Sequence, residues 1–188
     1  MNIRLLTEEE YAALYHTFTA AFAQNEFQFR LSEENFLYRI KEKLLIDHEI
    51  SASAFDGDEM VGFIMHASNI YQGIPTAYNG GTGEIPGFRN QSAAEQIYGY
   101  LIPRIQSKFL ARVILEVLEN NHKAIALYEK IGFIFNRRFK CYKMTKELEA
   151  TPDVPILEGS MDEVDFSNND FDPCFIDSEE HLKRGSET

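Results

Sequence analysis

Hydrophobic positions along this chain alternate between a two-residue and a three-to-four-residue rhythm, and the points where one gives way to the other predict the elements. Ile3 to Leu6 reads as a short first strand. Thr7 with Glu10 forms a capping box for a helix whose Tyr11, Leu14, Tyr15 and Phe18 share one face. Ser32 with Asn35 opens a second helix bearing Phe36, Leu37, Ile40 and Leu44, and the stretch Gln24 to Leu31 is an aromatic connection between the two. Ile50 to Phe55 and Met60 to His66 are strands joined at the turn Asp56-Gly57-Asp58. Asn69 to Tyr78 is expected to be a longer loop leading to a fourth strand that stops at Ile85-Pro86.

The second half repeats the alternation. Ile97, Tyr100, Leu101 and Ile105 mark a helical face. Val113, Leu115 and Val117 then alternate with Ile114, Glu116 and Leu118, a strand in which Glu116 is the one charge. Asn120 or Asn121 can cap the following helix, with Ala124, Leu127, Tyr128 and Ile131 at helical spacing and Gly132 as the stop. From Phe133 to Met144 the pattern predicts one long strand with basic residues at alternate positions. The order is strand, two helices, three strands, helix, strand, helix, strand, which is a mixed α/β layout where a largely antiparallel meander meets βα units.

Composition narrows this picture. A chain of 188 residues that is 44% hydrophobic can bury one substantial core, and no apolar run reaches the ~20 residues of a membrane span. The start, M-N-I-R-L-L-T-E-E-E, lacks the pattern of a secretory signal, and Cys141 and Cys174 have neither metal-ligand spacing nor the numbers for a disulfide framework, so a cytoplasmic protein without a metal is expected. Eleven acids against Lys183 and Arg184 put nine of the twelve net negative charges between Thr151 and Thr188. That balance argues against nucleic acid as a partner. The expected organisation is a domain over residues 1–148 and an acidic tail over 149–188, partly docked or a linker. Within the tail, apolar residues between Pro152 and Phe175 are expected to pack on the domain or on a second copy in a homodimer. Ile156-Leu157 could add an edge strand, and the end beyond Ser178 is expected to be mobile.

Candidate chemistry sits in two segments. Glu116 and Tyr128 place a carboxylate and a phenol near the carboxyl end of the sheet, a pair that can move protons. Upstream, Arg89, Asn90, Gln91, Ser92, Ala93 and Ala94 form a turn of mostly small residues entering a helix. Unpaired backbone N–H groups and a positive dipole end there suit a pyrophosphate.

Together these segments resemble the GNAT family of N-acetyltransferases over about residues 1–145. The family's N-x-x-A-x-x-x-Y-x-x-x-G-F pattern is matched by Asn121, Ala124, Tyr128, Gly132 and Phe133, and its R/Q-x-x-G-x-G/A loop corresponds to Arg89 to Ala94. The resemblance implies a mostly antiparallel central sheet with helices on both faces and a cleft where the fourth and fifth strands splay apart. It implies acetyl-coenzyme A (acetyl-CoA) as cosubstrate, contacted by Ile85, Arg89, Asn90, Gln91, Ser92, Ala93, Ala94, Asn121 and Ala124. It also implies direct transfer of acetyl to a primary amine of a small molecule or peptide. Glu116 would be the base, directly or through water, and Tyr128 the acid for the departing thiolate. Three departures stand out: Ser92 and Asn90 replace glycines, and Glu84 replaces an apolar residue. Glu84 is either a second candidate base or a charge that works against cofactor binding. A member that kept the fold as a coenzyme-binding or protein-interaction module, without turnover, is the alternative.

Overall fold

The computed structural model describes residues 1–23, 31–89, 91–142, 159–169 and 171–186. A five-stranded sheet runs in the order β1 (Asn2–Leu5), β2 (Ala52–Asp56), β3 (Glu59–Tyr71), β4 (Ile74–Glu84) and β5 (Arg112–Leu115). The first three pairings are antiparallel and β4 pairs β5 in parallel. Helices α1 (Tyr11–Phe22) and α2 (Glu33–Tyr38) cover one face, joined by the C-terminal helix α5 (Glu179–Ser186). Helix α3 (Ala93–Ser107) covers the other, with α4 (His122–Ile131) beside it. Among the described residues, no helix is long and apolar enough to cross a membrane.

The capping signals act as the residues suggest. Thr7 and Glu10 form a capping box, and the Ser32 hydroxyl accepts from the Asn35 N–H. Each face of the sheet has its own core. Leu14, Phe36, Ile40, Phe63, Met65 and Tyr78 pack under α1 and α2, whereas Ile50, Val61, Ile64, Ile97, Tyr98 and Leu101 pack under α3.

Three expectations are corrected. Asn69 to Tyr78 is no loop: β3 runs on to Tyr71, and Gln72-Gly73, both at positive φ, make a two-residue turn straight into β4. Pro75 is tolerated because it lies at the start of β4 and its carbonyl takes the Ala111 N–H. The strand expected to run through Glu116 to Leu118 ends at Leu115, which leaves Glu116 outside it and Val117 and Leu118 exposed. Phe133 to Tyr142 forms no strand, and Met144 lies outside the described residues. Its arginines are engaged elsewhere: Arg137 donates to the carbonyls of Asp172 and Pro173, and Arg138 pairs with Glu119. Ile156-Leu157 also lies outside the described residues.

The C-terminal segment carries the fourth correction. Beyond Ser178, where mobility is expected, the chain forms α5 and lies against β3. Phe175 is fully buried, its ring parallel to that of Tyr78 at 4.9 Å. Burying one such ring is worth roughly 1.5–3 kcal/mol. Polar bonds fix the register: Tyr71 donates to the Pro173 carbonyl at 2.6 Å, Asn69 to that of Glu180, and the His181 Nε2–H to that of Lys43 at 2.9 Å.

His66, in β3, is the core's pH liability. It is completely buried, its Nδ1–H donates to the Ile50 carbonyl at 2.6 Å, and its Nε2 has no partner. Burial pushes its pKa down to about 4, against the opposing pull of the Ile50 carbonyl and the Asp47 charge. The unfolded chain takes the proton first, at about 6.5. The stabilisation is therefore complete above that value and is lost as pH falls toward the folded pKa. Denaturant titrations should show about 2 kcal/mol lost from this residue between about pH 7 and pH 5. An equal loss in His66→Gln would exclude His66 as the source.

Candidate active site

The site is built where β4 and β5 part. They pair only from Thr76 with Arg112 to Asn79 with Leu115, and β4 then continues alone against β3. A bulge lies there too, because Met65 pairs with Gly81 while His66 pairs with Asn79, leaving Gly80 as the extra residue. Gly80 and Gly83 allow close packing: a Cβ on Gly80 would lie 2.4 Å from Leu44, and one on Gly83 would lie 2.7 Å from Phe63. Among the described residues no strand lies beside Gly80 to Glu84 on the edge of β4 that faced β5, so its backbone groups border the gap.

Two adjacent residues at the parting point send their side chains to opposite faces. On the α1/α2 face, the Tyr78 hydroxyl donates to Glu116 Oε2 at 2.5 Å. Glu116 is exposed as a residue, but this oxygen is turned onto the buried phenol. Desolvation raises its pKa above the ordinary carboxylate value and the Asp177 charge adds to this, while the Tyr78 bond and the Arg137 charge oppose it. A carboxylate shifted toward neutrality is a better proton acceptor at physiological pH. On the α3 face, the Asn79 amide donates to Tyr98 at 2.6 Å and to Thr82 Oγ1 at 2.8 Å, and its carbonyl accepts the Gly81 N–H. Thr82 in turn is hydrogen-bonded with Tyr128. The Thr82 hydroxyl can accept from Asn79 and still donate its own proton to the Tyr128 oxygen, the direction that leaves the Tyr128 proton available to a third group. Burial holds the Tyr128 pKa above that of a free phenol, so it is protonated at neutral pH.

Tyr128 reaches this position because Asn121 caps α4, its Oδ1 accepting the Ala124 N–H at 3.2 Å, and because Gly132 at φ 111° ends the helix with N–H bonds to Tyr128 and Glu129. The predicted pair Asn121 and Ala124 is thus one cap motif at the amino end of α4. Glu116 and Tyr128 have separate partners on the two faces of the sheet. Cys174, the one cysteine near Glu116, has its thiol pushed up to about 12, by burial first and by Asp177, so it is no thiolate at neutral pH.

The pyrophosphate turn departs from expectation in three ways. Glu84 Oε1 accepts the Ala94 N–H at 2.7 Å, so a carboxylate of the chain itself sits at the positive end of α3. The Arg89 guanidinium donates to the Ala21 carbonyl at 2.8 Å, at the end of α1. Ser92, at a glycine position of the family pattern, holds the left-handed conformation, φ 60° and ψ 28°. Ala93 and Ala94 are buried against the sheet. Gln91 is exposed with its side chain on the Gly87 carbonyl. The Ile85 N–H is taken by the Val61 carbonyl, and Asn90 lies outside the described residues. The donor set fits an anion, since it holds one already.

A serine in this backbone region is strained by about 1 kcal/mol. Ser92→Gly is therefore expected to raise stability by about 0.5–1 kcal/mol in denaturant titration, and to tighten acetyl-CoA binding by calorimetry. Weaker binding instead would mean that the Ser92 side chain supplies a cofactor contact.

Sequence reasoning missed Tyr78, Asn79, Thr82 and Tyr98. A Tyr-Asn pair running into Gly-Gly is the available signal, because glycine inside a strand pattern marks a bulge.

Comparison with known proteins identifies the family and the fold. The model of the acetyltransferase (GNAT) family matches residues 11–133. No curated protein matches the sequence. Among solved structures, the aminoglycoside N-acetyltransferase AAC(6')-Iy, bound to a bisubstrate analogue of coenzyme A, superposes with a TM-score of 0.60 at 17% identity, over 76% of this chain and 97% of its own. The ribosomal-protein-S18-alanine N-acetyltransferase of Escherichia coli does so with a TM-score of 0.60 at 23% identity, over 77% of this chain and 84% of its own. The aminoglycoside 6'-N-acetyltransferase AAC(6')-IG of Acinetobacter haemolyticus gives a TM-score of 0.60 at 12% identity, over 78% and 100%.

Proposed function

Because the chain belongs to the GNAT acetyltransferase family, we propose that it transfers acetyl from acetyl-CoA to a primary amine of a small molecule or peptide by direct attack. The observation that carries this reading is the arrangement at the parting of β4 and β5, with a raised carboxylate, Glu116, on one face and a protonated phenol, Tyr128, on the other.

The cosubstrate supplies an activated acetyl thioester when bound. The chain supplies the rest. Ser92, Ala93 and Ala94, at the start of α3, would hold the pyrophosphate once Glu84 has moved off the Ala94 N–H, and Arg89 would add charge on leaving the Ala21 carbonyl. Backbone groups of β4 between Gly80 and Glu84 orient the pantetheine arm and polarise the acetyl carbonyl. Glu116 takes a proton from the incoming ammonium, directly or through one water, since an amine is mostly protonated near pH 7. Tyr128, steadied by Thr82 and Asn79, gives its proton to the departing sulfur.

We read residues 1–148 as the catalytic unit and 149–188 as an acidic extension that is partly docked on it, through Phe175 and α5. The twelve net negative charges favour a cationic acceptor over an anionic one. A second reading has one observation in its favour: Glu84 at the end of α3 suits a module that kept the fold without turnover. Calorimetry with acetyl-CoA on the full chain is the first test. Saturable one-to-one binding competed by coenzyme A supports both readings, and absence of binding rejects both.

A further inference from the structure

We propose that Tyr78 is a positioning residue for Glu116, and that the C-terminal segment Asp172–Ser178, through Phe175, completes this half of the site. The inference rests on the reading of Glu116 as the base, and its test is arranged to separate the two.

The geometry is a stack with a polar tip. Tyr78 projects from the last-but-one residue of β4 that pairs with β5, and its hydroxyl meets Glu116, the first residue after β5. A bond across the mouth of the gap therefore fixes the carboxylate where the strands diverge. The sheet leaves one face of the Tyr78 ring to be covered by another part of the chain. That role falls to Phe175, fully buried and lying parallel to it at 4.9 Å with an interplanar angle of 5°. Phe175 is itself held by Tyr71 at 5.8 Å and by His181 at 5.0 Å. Arg137 ties the segment to the domain through the carbonyls of Asp172 and Pro173.

A distant part of the chain thus roofs the candidate base. An unattached acidic tail has no need of a fully buried phenylalanine, whereas a site wall does. Among the described residues four groups face Glu116: the Tyr78 hydroxyl from β4, the Arg137 guanidinium from the segment after α4, and the Asp177 carboxylate and Cys174 thiol from the C-terminal segment. Removing the Tyr78 hydroxyl takes away a bond that favours the charged carboxylate. Removing Phe175 admits water beside the pair and loosens Asp177, and both changes favour the charged form.

The two substitutions are therefore expected to move Glu116 in opposite directions. Carbon NMR titration of the full-length protein, with the Glu116 signal assigned by its loss in Glu116→Gln, reads this without any turnover. Tyr78→Phe should shift the Glu116 midpoint up by about one unit, a tenfold change in proton affinity. Phe175→Ala should shift it down, and Phe175→Leu, which keeps the pocket filled, should give a smaller shift of the same sign. In turnover, the acid limb of the kcat/KM profile should move with each midpoint while KM for acetyl-CoA stays unchanged. An unmoved Glu116 midpoint in Tyr78→Phe overturns the positioning role, and an unmoved one in both Phe175 variants removes the tail from the site. Full turnover in Glu116→Gln instead rejects Glu116 as the base, whatever the titrations show.

Discussion

Glu84→Gln is expected to tighten acetyl-CoA binding by about tenfold or more while leaving a donor without a pyrophosphate unaffected. In the structure, Glu84 bonds the Ala94 N–H at 2.7 Å, at the end of the helix where a pyrophosphate has to be received. Binding must then break a charge-assisted hydrogen bond, worth about 1.5–3 kcal/mol net, before it forms its own. Each 1.4 kcal/mol is about a factor of ten in affinity. Glutamine is nearly the same size and keeps a carbonyl oxygen that can cap α3. The charge is removed, so the bond to Ala94 is weaker and the repulsion against phosphate is gone. The cost to folding should be a few tenths of a kcal/mol. Calorimetry and KM should both improve for acetyl-CoA, and KM for S-acetylpantetheine should not. Equal improvement for the two donors would place the Glu84 charge beside the thioester instead of the pyrophosphate, and a fall in kcat with both would mark it as a second base.

The largest loss is expected from the two proton-handling groups. Tyr128→Phe removes the phenolic proton but keeps the ring against Phe133, which it meets edge-on at 5.5 Å. The helix α4 and its Asn121 cap stay in place. Turnover should fall by roughly 10²-fold or more, the usual scale for a lost general acid, with acetyl-CoA affinity close to that of the parent. Glu116→Gln should fall by a similar factor and lose the acid limb of the pH–rate profile, because the group that titrates there is gone. Single-turnover kinetics separates this from slow product release. A Tyr128→Phe protein with full activity would remove the phenol from the mechanism, and the Thr82 and Asn79 network would then serve packing alone.

Part of this architecture was legible in the residues and part was not, for identifiable reasons. Local signals acted locally: the capping box at Thr7 and Glu10, the Ser32 cap, the Asp56-Gly57-Asp58 turn and the Asn121 to Gly132 helix all appear where their chemistry places them. The β3–β4 hairpin reads as a loop in sequence because Gln72 carries a positive φ that a glutamine does not advertise, and because Pro75 argues against a strand. Tyr78 and Asn79, whose side chains bond Glu116 and Tyr98 at the candidate site, lie in that same stretch. The stretch after Phe133 looks like a strand by alternation. Alternation, however, states only that a strand could form, and a ladder also needs a partner. Here the arginines go to Asp172, Pro173 and Glu119 instead. The stacking of Phe175 on Tyr78 joins residues almost a hundred positions apart, and no periodicity encodes such a contact.

Glu84 shows the converse. Its oddity was visible as a charge where an apolar residue is usual, yet its partner was not. Two roles were open on the sequence, a second base or an obstacle to the cofactor, and the bond to Ala94 favours the second. The phosphate turn as a whole keeps the small buried residues Ala93 and Ala94, and turns its arginine to the end of α1.

The central claim is acetyl transfer to an amine, and the most direct measurement is coenzyme A thiol release from acetyl-CoA by the full-length protein across a panel of primary amines, with the acetylated product identified by mass. The panel should span polyamines, aminoglycosides and peptides with free N-termini. Amine-dependent thiol release that matches acetylated product one for one and collapses in Glu116→Gln is the expected result. Saturable binding of acetyl-CoA without release for any amine, in the parent and in Glu84→Gln alike, would contradict it.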